Sequence, residues 1–136
     1  MPNDNSADRI WQEWIKRADD DELNIKSILK HRDGTANIVG VLSQQMAEKY
    51  LKGLLVFHKQ KYPRIHDLVR IATLLESMAP KIIELNNEKL DELSKLYTID
   101  RYPGEMPDLT WEEAKEAYAA ANKVKEFALK EFSKKP

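Results

Sequence analysis

The segment Gln44-Gln45-Met46-Ala47-Glu48-Lys49-Tyr50-Leu51-Lys52 places polar side chains where a helix should be apolar. On a 3.6-residue period, Ile38, Val41 and Leu42 mark an inward stripe. Gln45 follows Val41 by four positions, Lys49 follows Gln45 by four, and Lys52 follows Lys49 by three. An amide and two ammonium groups therefore continue a stripe that should be buried. Burying such groups unpaired costs on the order of several kcal/mol. They need an internal partner, an escape along the rim, or an anionic ligand. Glu48 can pair with Lys52 across one helical turn, and lysine stems can carry their charges out to water.

Two other places carry chemistry. Arg64-Ile65-His66-Asp67-Leu68 puts a histidine at a predicted helix start, where a neutral imidazole can cap. Tyr97-Thr98-Ile99-Asp100-Arg101-Tyr102-Pro103-Gly104 puts an arginine beside a proline-stiffened turn. A guanidinium is a planar fork suited to carboxylate or phosphate, so its partner is either a neighbour such as Asp100 or Glu105, or a ligand. The expected site recognises phosphate and is centred on Lys49 and Arg101, with Gln45, Lys52, His66 and Tyr102 nearby. Tyr97 or Tyr102 would receive a base.

Other chemistries fall away on composition. There is no cysteine, hence no disulfide, thiolate nucleophile or cysteine-held metal. Four scattered glycines form no phosphate-binding loop, and His31, His58 and His66 show no helical metal spacing. No serine sits in a nucleophile elbow. Neither metal nor cofactor is expected. The acidic run Asp19 to Glu22 reads as a solvated helix face, because adjacent carboxylates on a helix diverge. A net charge of −1 provides no global attraction to nucleic acid or anionic membrane.

The elements that would hold these residues are helices. The chain is 136 residues long, 42% hydrophobic and 33% charged, which suits one globular domain. Helices are predicted over 8–31, with a stop at Arg32-Asp33-Gly34, and over 35–59, ending before Pro63. A third begins near His66 or Asp67. A fourth runs from Pro80 to Tyr97, with a break at Asn86-Asn87. After an irregular stretch from Ile99 to Leu109, Thr110-Trp111-Glu112-Glu113 is a capping box that opens the last helix. That helix lines one face with Ala114, Ala117, Ala121 and Ala128, small enough for close approach. The predicted fold is all-α, an up-and-down antiparallel bundle of four main helices plus a shorter one. The N-terminal residues 1–7 are expected to be a disordered tail before a single domain over 8–133. The sequence carries neither an apolar leader nor a bilayer-length apolar run, so a cytoplasmic location is expected.

Gln44-Gln45-x-Ala47-Glu48-Lys49-x-Leu51-Lys52, then His66-Asp67-Leu68, then Tyr97 and Arg101-Tyr102-Pro103, resemble the three signature blocks of HEPN domains in order and separation. The similarity runs from about Trp11 to Phe132. It implies a helical bundle that commonly dimerises, nucleotide binding, and a small nucleotidyltransferase partner in a toxin–antitoxin-like pair. Other family members are metal-independent ribonucleases with an arginine followed four to six residues later by histidine. Here the arginine would be Arg101, and the histidine positions hold Met106, Pro107 and Asp108. The resemblance therefore implies a non-catalytic binding and interaction module, with an unconventional ribonuclease using Arg101, His66 and Tyr102 as the alternative.

Overall fold

Local capping chemistry sets most of the helix boundaries. The computed structural model describes residues 6–99 and 101–134. They form α1 (Ser6–His31), α2 (Ala36–Phe57), α3 (Leu68–Leu75), α4 (Asn87–Ser94) and α5 (Trp111–Phe132), with 3-10 turns at Pro80–Glu84 and Lys95–Thr98. Helix α1 begins at Ser6; the rest of the expected tail, 1–5, lies outside the described residues. The Thr35 hydroxyl caps α2 by accepting the Ile38 N–H, and the Asn86 amide oxygen caps α4 by accepting that of Lys89. At α5 both arms of the capping box close: the Glu113 N–H reaches the Thr110 hydroxyl at 3.0 Å, and the Thr110 N–H reaches the Glu113 carboxylate at 2.9 Å.

Two expectations about ends need correction. Helix α3 is capped by Asp67, whose carboxylate accepts the N–H groups of Val69 and Arg70, which frees His66 from the capping role. The residue that takes the left-handed conformation after α1 is Arg32, at φ 55°, not Gly34. The Arg32 side chain makes up for the poor backbone fit, since its guanidinium lies 4.2 Å above the centre of the Trp111 ring.

The pairings fix the directions. Asp21 meets Lys49 and Trp14 faces Gly53, so α1 and α2 are antiparallel. Trp11 stacks on Phe132 and Arg32 covers Trp111, so α5 also runs against α1. Helices α2 and α5 are therefore parallel, and the return leg between them is the broken run of α3, α4 and the 3-10 turns. The topology is up-and-down, with the third leg in pieces. Pro80 opens a 3-10 turn rather than a long helix, and the chain restarts at Asn86.

Helix α2 is the axis of the bundle, packed by α1 on one side and α5 on the other, with the broken leg against it as well. Val39, Ser43, Met46, Ala47, Tyr50 and Leu54 form its deepest row, all fully buried. This overturns the inward stripe expected from Ile38, Val41 and Leu42. Ile38 is exposed, and Val41, Leu42, Gln45 and Lys49 are half-buried. A helix covered on nearly every side carries apolar residues all round, so its sequence period does not single out one face. At Gly53 a Cβ would stand 3.2 Å from the Trp14 Cβ, so the absence of a side chain lets α1 come close. The loop from Ile99 to Leu109 is pinned to α2 by Asn37, whose amide oxygen accepts the Leu109 N–H at 2.8 Å and whose amide nitrogen donates to Asp108 at 2.9 Å. Among the described residues, no helix is long and apolar enough to cross a membrane.

Candidate functional site

Glu48 is the hub of the candidate site. From α2 its carboxylate accepts from Lys52 Nζ at 2.8 Å and from Gln44 Nε2 at 3.0 Å, one turn away on either side. The third contact comes from outside the helix: His66 Nδ1 lies 3.0 and 3.1 Å from the two carboxylate oxygens. An ionised carboxylate only accepts, so Nδ1 carries the proton and Nε2 is the nitrogen left for other partners. Burial alone would push the Glu48 carboxyl up, but the bonds from Lys52, Gln44 and His66 outweigh it and hold the group below the usual glutamate range.

Gln44 also ties the loop down, since Nε2 donates to the His66 carbonyl at 3.0 Å. Ser94 donates to the same carbonyl and accepts the Leu68 N–H, which joins α4 to the start of α3. The His66 ring is thereby held, and it stacks on Tyr97 with centroids 3.9 Å apart and planes 16° from parallel. Arg101 completes the arrangement. Its guanidinium carbon lies 4.8 Å from the Tyr97 ring centre, and the Arg101 backbone N–H donates to the Thr98 carbonyl. No carboxylate among the described residues pairs with it; Asp100, one of its two expected partners, lies outside them. Tyr102, about half exposed, is its neighbour on the same loop. From inside to outside the order is Lys52, Glu48, His66, Tyr97, Arg101. Among the described residues, charge is neutralised at the inner end and unneutralised at the outer.

The expected residues thus divide. His66 and Arg101 come together on Tyr97, and Lys52 supports them through Glu48. Lys49 is engaged elsewhere: its Nζ donates to Asp21 of α1 at 2.6 Å. Gln45 is half-buried on α2 and takes no part in the Glu48 network. Glu48 and Gln44 are not among the site residues expected from sequence, and Tyr97, expected to receive a base, instead carries the His66 ring and the Arg101 guanidinium. The signal for the first two was the i, i+4 spacing of Gln44, Glu48 and Lys52; for Tyr97 it was the step of four to Arg101.

The acidic run on α1 also departs from expectation. Asp19 and Asp20 are exposed, whereas Asp21 and Glu22 are buried, not solvated. Glu22 accepts from the Tyr118 hydroxyl and from Lys125 Nζ, both on α5, at 2.5 Å each. Burial raises its carboxyl, but these two bonds and the nearby cations hold it below the usual range. Burial dominates at Asp21 and lifts its carboxyl despite Lys49. The Tyr50 hydroxyl, buried and bonded to Asp19 at 2.9 Å, is pushed far above the ordinary phenol value. Divergence was the correct premise: successive carboxylates point to different helices, but those directions lead inward. Among the described residues, no group of three or more His, Asp or Glu side chains could hold a metal ion.

This layout puts the first signature block on the central helix and the other two around its Glu48. The protein-family model described as HEPN domain matches residues 11–132, nearly the whole chain. The chain belongs to the HEPN family. No curated protein and no solved structure matched it. In this HEPN domain the polar residues of the first block act mainly on each other and on the histidine of the second, while the arginine of the third is presented to solvent.

Proposed function

We propose that this HEPN protein is a non-catalytic module that binds a phosphate-bearing ligand, such as a nucleotide, at the rim formed by His66, Tyr97, Arg101 and Tyr102. The observation that carries the reading is the state of Arg101. It is an exposed guanidinium laid over an aromatic ring, with no carboxylate partner among the described residues, beside an imidazole fixed by Glu48. A planar cation held by a ring keeps its fork free for two phosphate oxygens and loses little freedom on binding. Tyr102, next to Arg101 in the chain and about half exposed, would receive the base. Lys49 is taken by Asp21 away from this rim and Lys52 braces Glu48, so Arg101 is the cation that contacts the ligand.

The protein acts in the cytoplasm as a homodimer, with a small nucleotidyltransferase as its partner in a toxin–antitoxin-like pair. Large apolar side chains left in water, Leu23 and Ile83 above all, favour association. Light scattering should give twice the chain mass at micromolar concentration. A monomer up to near-millimolar protein removes the dimer.

Calorimetric titration with ATP and GTP tests the site. Arg101→Ala should weaken binding by tenfold or so, about 1.4 kcal/mol, and leave the melting temperature nearly unchanged. Absence of heat at millimolar nucleotide eliminates the nucleotide reading.

One observation favours a second reading. His66 and Arg101 share the Tyr97 ring, and a carboxylate-braced imidazole beside an arginine is an arrangement suited to general acid–base work on a phosphodiester. In that case a histidine from another segment stands in for the one missing at Met106, Pro107 or Asp108. RNA cleavage by the purified protein, abolished by both His66→Ala and Arg101→Ala, would replace the binding reading with this one.

A further inference from the structure

The last turns of α2 and the loop that leaves it form the most one-sidedly charged part of the chain. Between Glu48 and Asp67 there is no acidic residue, and five cations occur: Lys49, Lys52, Lys59, Lys61 and Arg64. The first two are taken by Asp21 and Glu48. The other three are exposed and pair with no carboxylate among the described residues. They rim a groove of about 540 Å³ with Ile10, Val56 and Tyr62 in its wall. Ile10 is 48% exposed and Tyr62 38% exposed, so apolar surface lies open inside a ring of positive charge.

The backbone adds an independent observation. Helix α2 ends with the Lys59 N–H bonded to Val56 and the Gln60 N–H to Leu55, the pattern in which the penultimate residue turns left-handed. That residue is Lys59, at φ 60°. Glycine adopts this conformation without steric cost and lysine does not. The other non-glycine residue in this region, Arg32, recovers the cost by covering Trp111. Lys59 has no such contact among the described residues. A strained cation with no partner among the described residues, at the edge of an open apolar groove, points to a use outside.

We propose that this groove docks an acidic amphipathic segment of a partner protein. Aliphatic or aromatic anchors of the segment would lie on Ile10, Val56 and Tyr62, and its carboxylates would meet Lys59, Lys61 and Arg64. A peptide suits the site better than a single-stranded nucleic acid. Nucleic acid needs flat aromatic platforms, whereas this wall is largely aliphatic and its one ring is fixed edge-on to Trp14, with centroids 4.9 Å apart. The ring of positive charge would speed the encounter and make it salt-dependent, and the apolar wall would set its lifetime. The proposal is independent of the phosphate reading, because it uses none of the residues around Tyr97.

The test is fluorescence polarisation with a labelled peptide of about twelve residues that interleaves leucine with glutamate, in the helix-in-groove pattern. Two controls accompany it: the same peptide with serine for leucine, and an oligouridylate of equal length. The leucine peptide should bind at micromolar concentration, and the serine peptide about tenfold or more weakly. Lys59→Gly and Arg64→Glu should each weaken the leucine peptide about tenfold. Lys59→Gly should at the same time keep or raise the melting temperature, which separates lost docking from lost fold. The proposal is overturned by no binding at millimolar peptide, by equal binding of the serine peptide, by tighter binding of the oligouridylate, or by a Lys59→Gly variant that binds as the wild type does.

Discussion

Two sets of buried carboxylates hold this bundle together, and they differ in where their cations can go. Glu48 is bonded to Lys52, whose side chain is 5% exposed; Glu22 is bonded to Lys125, whose side chain is 25% exposed. Both carboxyls sit below the usual range for related reasons, hydrogen bonds from a cation and a neutral donor. Their surroundings are unlike. The Glu22 group is closed on itself between α1 and α5, and joins two helices that would otherwise meet through few polar contacts. The Glu48 group lies mostly on one helix and spends its third bond on His66, which passes the order of the core outward to Tyr97 and Arg101. The same pairing chemistry secures the fold in one place and orients the rim of a site in the other.

The largest expected effect is at Glu48. Glu48→Ala leaves the Lys52 ammonium without a partner and nearly without water, and should destabilise the fold by about 3–5 kcal/mol in urea unfolding. It should also release His66 from its fixed pose, visible as a loss of the Tyr97-stacked imidazole signals in NMR. A cost equal to that at Glu22 would show that the exposure of the cation does not distinguish the two groups. Glu22→Ala should cost less, about 2 kcal/mol, because Lys125 can turn to solvent once freed. Tyr118→Phe, which removes one bond to Glu22 and keeps the ring, should cost about 1 kcal/mol.

Titration sharpens the contrast. Glu48 and Glu22 have lowered folded-state values, so their stabilising contributions are complete above the unfolded glutamate range and are lost as the pH falls toward the folded values. Asp21 is raised and has the opposite sign: its contribution is present below the ordinary aspartate range and is lost as the pH rises through its folded value. Urea midpoints from about pH 6 to about pH 3 should therefore fall for the wild type, fall less for Glu48→Gln, and fall more steeply for Asp21→Asn. Unchanged slopes in both variants would mean that other carboxylates control acid unfolding. The smallest expected effect on stability is that of Arg101→Ala, within about 0.5 kcal/mol, because an exposed cation over a ring contributes little to the folded state.

The readable parts of the sequence were those in which partners are close along the chain. The capping box at Thr110, the break at Asn86, the proline-bearing loop before α5 and the all-helical class follow from interactions spanning three or four residues, and they would hold in almost any tertiary setting. The i, i+4 pairing of Glu48 with Lys52 belongs with them. What only the tertiary structure decided is which of several local possibilities prevails when distant segments meet. The periodic stripe through Ile38, Val41 and Leu42 is only partly buried, because a helix packed on nearly all sides carries apolar residues all round. Lys49 was expected beside Arg101 and instead meets Asp21, since α1 runs antiparallel to α2 and brings that carboxylate to its level. The acidic run on α1 read as solvated because nothing within four residues marks Asp21 and Glu22 as facing Lys49 and Lys125. His66, a capping candidate by position, lost that role to the adjacent Asp67 and gained Glu48, eighteen residues away. Short-range hydrogen bonds and steric limits are encoded residue by residue; the partner of a buried charge is set by which helix the fold places against it.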